Sequence, residues 1–104
     1  MWKEAIAQGR VLARAGEKSK AAGILKELTR MAKVRFVSPM DFAILYAGMG
    51  DAAQTFQWLE RARENREARI HELRSMEFDS VRSDPRYAEL ARRVGLPIQR
   101  VAAR

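Results

Sequence analysis

The sequence lacks cysteine entirely and contains a single histidine among its 104 residues. The absence of cysteine excludes a disulfide framework, a thiolate zinc site, an iron–sulfur cluster and a cysteine nucleophile. One histidine is too few for a two-histidine metal site and for most histidine-dependent proton relays. The composition therefore predicts that the protein binds neither a metal nor a cofactor.

Glycine and proline are also scarce, at six and three residues, and 47% of the chain is hydrophobic. This composition is typical of a folded protein, and the length is that of one domain with its own core. Apolar runs are only a few residues long, far below the roughly 20 needed to cross a bilayer. Met1-Trp2-Lys3-Glu4 has no signal-peptide layout, so we expect a cytoplasmic protein with no membrane partner.

Positive charge is the one unbalanced quantity, because 20 lysines and arginines oppose 13 acidic residues and give a net charge of +7. The excess is concentrated in residues 1–35 and 82–104, whereas the middle of the chain is nearly neutral. A basic surface can bind nucleic acid or an acidic protein, or it can be solvated without a partner. On charge alone we favour the solvated surface, because net charge determines solubility and non-specific binding.

Apolar residues recur at three- and four-residue steps along most of the chain, which predicts an all-α fold. Ser38-Pro39-Met40-Asp41 and Ser83-Asp84-Pro85 are typical helix starts, with serine as the cap and, in the first, Asp41 completing a capping box. Between helices, 34–37 is predicted to be a linker that anchors through its apolar side chains. The predicted helices cover residues 2–15, 17–33, 39–49, 51–62, 70–76 and 83–94.

A shift of the chain by 34 residues places residues of similar size or role on one another. Gly16, which we expect to end the first helix, falls on Gly50 at the end of the third. The matched pairs within the helices are Gly9 and Ala43, Leu12 and Tyr46, Ala13 and Ala47, Ala21 and Thr55, Leu25 and Leu59, and Leu28 and Ala62. A helix–turn–helix period of this length is that of the tetratricopeptide repeat (TPR), so the sequence resembles the TPR family. The alternative is a helical bundle without repeats.

Residues 38–97 are similar to the C-terminal TPR tails of bacterial multidomain regulators. The motifs that carry this resemblance are Ser38-Pro39-Met40-Asp41-Phe42-Ala43, Tyr46-Ala47-Gly48-Met49-Gly50-Asp51, Trp58-Leu59-Glu60-Arg61-Ala62, Val81-Arg82-Ser83-Asp84-Pro85-Arg86-Tyr87 and Gly95-Leu96-Pro97. The resemblance implies a bacterial chain, either a stand-alone relative or a fragment of a larger regulator, whose last helix closes the array. The expected organisation is one domain over 1–97, with repeat 1 at about 2–33, repeat 2 at about 38–67, a short helix and a capping helix at about 68–95, and a frayed tail at 98–104.

The sequence contains no catalytic constellation. Asp41, Asp51 and Asp84 lie at or near predicted helix starts, where capping accounts for a carboxylate. Ser38 and Ser83 are likewise interpreted as caps, and His71 as a surface histidine. Because the Gly48–Gly50 turn also lacks the following residues of a phosphate loop, we predict that the protein is not an enzyme.

The sequence predicts a protein–protein interaction module. Stacked helical repeats leave a concave groove lined by the first helix of each hairpin, where a peptide can bind. The residues expected in that groove are Lys3, Ile6, Arg10, Ala13, Arg14, Val37, Met40, Ile44 and Ala47. Its first half is cationic and its second half apolar, which suits a partner with an acidic group beside aliphatic side chains. The alternative is that Met40 and Ile44 are covered by another part of this chain or by a second copy.

Self-association is expected because repeat arrays usually need about three units and this chain offers two and a closing helix. The predicted homodimer buries Trp2, Ile6, Met40 and Ile44 in some combination. The alternative function is a nucleic-acid-associated helical regulator that uses its basic surface. We rank it second because the helix after Gly48–Gly50 carries Phe56, Trp58 and Leu59 where a DNA-recognition helix needs polar and basic residues.

Overall fold

The computed structural model describes the backbone of residues 2–95 and the side chains of residues 4–95. In this range the chain is helical without strands, which confirms the predicted all-α class. The expected tail over 98–104 lies outside the described residues. The elements are α1 (Trp2–Arg14), α2 (Lys18–Met31), α3 (Pro39–Met49), α4 (Ala52–Glu64), a first 3₁₀ helix (Ala68–Arg74), a second 3₁₀ helix (Met76–Val81) and α5 (Pro85–Val94).

Three α-helices begin at a side chain that accepts a hydrogen bond from the first turn. Ser38 Oγ accepts from the Met40 N–H at 3.1 Å, and Asp51 Oδ1 accepts from the Gln54 N–H at 3.1 Å. α5 is capped by Asp84, which accepts from the Arg86 N–H at 2.9 Å, and not by the predicted Ser83. Because Pro85 is the first helical residue, the cap position falls on Asp84.

The turns that end α1 and α3 have the same geometry. Gly16 has φ +83° and Gly50 has φ +80°, the left-handed conformation that favours glycine. In each turn the glycine N–H donates to the carbonyl three residues before it, and the next N–H donates to the carbonyl five residues before it, at 2.9–3.1 Å. The matched positions Leu25 and Leu59 are both buried in the second helix of their pair.

α3 lies at the centre of the described fold and contacts α1, α2, α4 and both 3₁₀ helices. Eight of its 11 residues are buried, which agrees with its lack of a polar face. On one side α3 joins α4, the 3₁₀ helices and α5 in a large core that includes Leu59, Phe78 and Leu90. On the other side it joins α1, α2 and the linker in a small core: Ile6, Leu25, Leu28, Val37, Phe42 and Leu45.

The chain between α2 and α3 anchors through only one of its apolar side chains. Val37 is buried in the small core, immediately before the start of α3. Val34 and Phe36 are 84% and 71% exposed, so the hydrophobic anchoring predicted for 34–37 is made by Val37. The backbone N–H groups of residues 34 and 35 donate to the Met31 carbonyl, so a turn follows the end of α2 here.

Candidate functional site

Three residues of the apolar half of the predicted groove lie inside the large core. Met40, Ile44 and Ala47 are at most 1% exposed and share that core with Leu73 and Phe78 of the 3₁₀ helices. The stated alternative is therefore the observed one: another part of this chain covers Met40 and Ile44. The remaining apolar groove residues, Ile6, Ala13 and Val37, are also buried.

Residues 68–81 form the segment that covers α3. Hydrogen bonds hold this segment, and Glu67 directly before it, to neighbouring elements. Ser80 Oγ donates to the Ala47 carbonyl at 2.6 Å. The Tyr87 hydroxyl donates to the Leu73 carbonyl at 2.9 Å, and Ser38 Oγ donates to a carboxylate oxygen of Glu67 at 3.1 Å. The first two bonds join the segment to α3 and α5, and the third joins Glu67, directly before the segment, to the cap of α3.

Asp41 belongs to this fastening and not to a capping box. Its Oδ1 lies 2.9 Å from Nη1 of Arg69, and Arg69 also donates two hydrogen bonds to Glu72 at 2.9 and 3.1 Å. Burial raises the pKa of Asp41 above its usual range, and Arg69 opposes that rise. The hydrogen bond to Glu72 is the largest cause of a raised pKa at Arg69. The geometry makes this cluster an internal clamp, with Arg69 bridging two carboxylates.

The cationic half of the predicted groove remains at the surface. Arg10 Nη2 lies 2.6 Å from Oε2 of Glu77, so its charge is matched inside the molecule. Arg14 Nη2 contacts the Met76 sulfur at 3.5 Å, which is a weak acceptor. Lys3 lies on α1, and its side chain falls outside the described ones. Arg10 is thus paired with a carboxylate, whereas the guanidinium of Arg14, within the described part of the chain, donates a hydrogen bond only to a thioether sulfur.

A shallow groove of about 250 Å³ follows α1 on this side, and we call it the α1 groove; its lining is Ala7, Arg10, Val11, Arg14 and Glu77. Val11 is 68% exposed and the neighbouring Met76 is 60% exposed, both unusually high for large apolar side chains. Sequence reasoning missed Val11, Met76 and Glu77. The three- and four-residue steps between Ala7, Val11 and Arg14 would have placed Val11 here, whereas Glu77 is brought in by tertiary packing.

A second, more open groove of about 620 Å³ runs between α4 and α5; it is lined by Ala53, Phe56, Gln57, Glu60, Arg61, Glu64 and Arg86. Its cations are engaged: the Arg86 guanidinium lies 4.9 Å from the centre of the Phe56 ring and is paired with Asp84. Arg61 lies 4.4 Å above Trp58. Since the lining carries both signs of charge, this groove selects no particular ligand chemistry.

Across residues 2–95, no group of three or more histidine, aspartate or glutamate side chains is arranged to hold a metal ion. His71 is exposed on the first 3₁₀ helix, as its sequence context predicted. None of the helices described here combines the length and the hydropathy needed to span a membrane.

Comparison with known proteins identifies no relative of this chain. No family model matches the chain, and no curated protein or solved structure matches it. The α1 groove, with its exposed apolar side chains and Arg14, is therefore the feature from which a function can be inferred.

Proposed function

We propose that this protein is a non-catalytic interaction module, built from two TPR-like hairpins closed by α5, that binds a segment of a protein partner in the α1 groove. The equivalence of the two helix pairs supports the repeat: their turn glycines share φ values and hydrogen bonds at a 34-residue offset. The pairs Ala21 and Thr55, and Leu28 and Ala62, are buried at the same offset. In this arrangement α1 and α3 line the concave face, and residues 68–81 fill its α3 half.

The observation that carries the binding proposal is that Arg14 has no carboxylate partner among the described residues. Its guanidinium has a thioether contact, whereas Arg10 beside it is already matched by Glu77. Carboxylates bind guanidinium groups through short, charge-assisted hydrogen bonds. A ligand carboxylate at Arg14 would bring its neighbouring residue onto Val11 and Met76, so the preferred segment has an acidic residue close to an aliphatic one.

The size of the groove sets the expected strength of binding. A volume of about 250 Å³ accepts roughly one or two side chains, below the usual range for a deep ligand pocket. Much of the interaction energy is also offset by the ordering of a flexible peptide. We therefore expect micromolar affinity and rapid exchange of partners.

Selection from a random peptide library displayed on phage tests this proposal. We expect enrichment of peptides with Asp or Glu within four residues of Leu, Ile or Val, and loss of their binding in Arg14→Glu. Arg61→Glu is the matched control, because it makes the same charge change on an exposed arginine of α4 outside the groove. Enriched peptides that bind Arg14→Glu as well as the unaltered protein would contradict the proposal.

A further inference from the structure

The five methionines supply all the sulfur in this chain, because the sequence has no cysteine. Among the four whose side chains are described, Met40 is fully buried, Met31 and Met49 are partly buried, and Met76 is 60% exposed. Oxidants convert a thioether to a sulfoxide, and they reach an exposed sulfur more readily than a buried one. Met76 is therefore the described sulfur that is most accessible to an oxidant.

Met76 is the first residue of the second 3₁₀ helix, where Ser75 Oγ caps the turn by accepting from the Glu77 N–H at 2.9 Å. This turn places Met76 beside the α1 groove, and its sulfur accepts a hydrogen bond from Nη2 of Arg14 at 3.5 Å. Because a thioether is a weak acceptor, the contact satisfies little of the hydrogen-bonding capacity of that guanidinium. The accessible sulfur and the weakly engaged cation of the groove are therefore in direct contact.

We propose that Met76 is an oxidation site, and that its sulfoxide holds Arg14 and closes the α1 groove to carboxylate ligands. The oxidant is a peroxide, such as hydrogen peroxide. A sulfur lone pair attacks one peroxide oxygen, the O–O bond breaks as the S–O bond forms, and the leaving hydroxide takes the proton of the transferred hydroxyl and departs as water. Sulfur loses two electrons and the peroxide gains them, so no further co-reactant is required. The effect on ligand binding rests on the proposed function, whereas the oxidation and the contact with Arg14 do not.

The sulfoxide changes both properties that make the groove suitable for a ligand. Its oxygen is a stronger acceptor than the thioether sulfur, so it competes with a ligand carboxylate for Arg14. Met76 has three rotatable side-chain bonds and is exposed, so small rotations bring that oxygen to about 2.9 Å from the guanidinium. The oxidised side chain is also polar, so a ligand loses an apolar contact together with its anion site.

Limited oxidation with hydrogen peroxide, followed by peptide mapping in a mass spectrometer, tests the oxidation site. Met76 should be oxidised several-fold faster than Met31 or Met49, and Met40 should react last because it lies in the large core. In the urea-unfolded protein the four should react at similar rates, which would show that the difference comes from the fold. If folded Met76 reacts no faster than Met31 and Met49, the proposal is overturned.

The arginine side-chain N–H signals in a nitrogen-15 NMR spectrum test the contact with Arg14 without any ligand. On oxidation the Arg14 signal, assigned by its loss in Arg14→Lys, should shift and exchange more slowly with solvent, because the sulfoxide accepts a stronger hydrogen bond. Arg61 is the internal control, because it is an exposed arginine of α4 outside the groove. An Arg14 signal that does not respond, or that responds equally in Met76→Leu, contradicts the proposal.

Fluorescence anisotropy with a labelled acidic–aliphatic peptide from the selection above tests the closure of the groove. Oxidation should weaken binding about ten-fold, because the carboxylate then has to displace the sulfoxide from a charged partner. Each variant is compared with its own unoxidised form: Met76→Leu should lose this response, and Met31→Leu, a matched control at the end of α2, should keep it. Methionine sulfoxide reductases for the two sulfoxide epimers should restore the affinity.

The outcomes separate this inference from the proposed function. If peptides that depend on Arg14 bind the oxidised protein as tightly as the unoxidised one, the closure of the groove is wrong and the proposed function stands. If no acidic–aliphatic peptide binds the unoxidised protein, the proposed function is wrong, while the peptide map and the Arg14 signal still decide the oxidation site.

Discussion

The first helix pair and the rest of the molecule share turn geometry but differ in how they are stabilised. Within the described residues, α1 and α2 contribute Ile6, Leu25 and Leu28 to the small core, which is completed by residues of α3 and the linker. The large core has 13 buried members drawn from α3, α4, both 3₁₀ helices and α5. It follows that α1 and α2 depend on α3 for much of their packing, whereas α3 is covered on both sides.

The region with the larger core and the region with the candidate binding surface are also different parts of the molecule. The side of α3 that would face a ligand is occupied by residues 68–81, which form hydrogen bonds to α3 and α5 there. The outer side of α1 has no comparable cover among the described residues, and its Val11 and Arg14 are exposed. The surface that we propose for a partner is therefore on the region with the smaller core.

The largest expected effect compares the two matched leucines. Leu59→Ala should lower the free energy of unfolding by ~2–5 kcal/mol, because Leu59 is fully buried in the large core. Leu25→Ala removes the same atoms at the matched position but should cost about 2 kcal/mol, the lower end of that range, because Leu25 lies at the edge of the small core. Urea unfolding of both variants measures the comparison. A loss below ~0.5 kcal/mol at Leu59 would mean that the repeat register is wrong.

An intermediate effect is expected from two glycines in the first helix pair. A Cβ on Gly9 would lie 2.8 Å from Cγ2 of Ile24 and 2.9 Å from Cδ2 of Leu45, which is too close. Gly9→Ala should thus destabilise by about 1 kcal/mol net, since overpacking costs ~1–3 kcal/mol and helix propensity returns ~1 kcal/mol. Gly23→Ala meets no atom within 4 Å and should stabilise by ~0.5–1 kcal/mol. Thermal unfolding of the two variants shows whether each substitution raises or lowers the free energy of unfolding. If both substitutions are stabilising, α1 packs less closely against α2 and α3 than described.

The smallest expected effect concerns the ion pair that joins α1 to the second 3₁₀ helix. Arg10→Met keeps the apolar stem but leaves Glu77, which is largely buried, without its cation. Solvent on Arg10 reduces the value of the pair, so a double-mutant cycle with Glu77→Gln should give a coupling energy of about 0.5–1 kcal/mol. A coupling of zero would show that the first helix pair is joined to the rest of the fold by apolar packing alone.

Much of the local structure could be predicted from single residues. Ser38 and Asp51 cap helices where the sequence places them, and Gly16 and Gly50 adopt positive φ where each helix ends. These features depend on a few neighbouring residues, so the sequence near them is sufficient. The candidate site was harder to predict: Arg10 and Arg14 were expected at the groove, but Val11, Met76 and Glu77 were not.

By itself the sequence determined the helical class, the starts of α3 and α4 and the 34-residue offset of the turns, because each follows from local hydrogen bonding or from helical periodicity. The single short helix predicted at 70–76 is instead two 3₁₀ helices, Ala68–Arg74 and Met76–Val81. Only the tertiary structure decided that residues 68–81 cover Met40 and Ile44, and that Asp41 pairs with Arg69 instead of completing a capping box. Those contacts join residues that are distant along the chain. Their geometry depends on how α3 packs between its neighbours, and an amphipathic pattern fixes which side of a helix is buried without fixing which segment buries it.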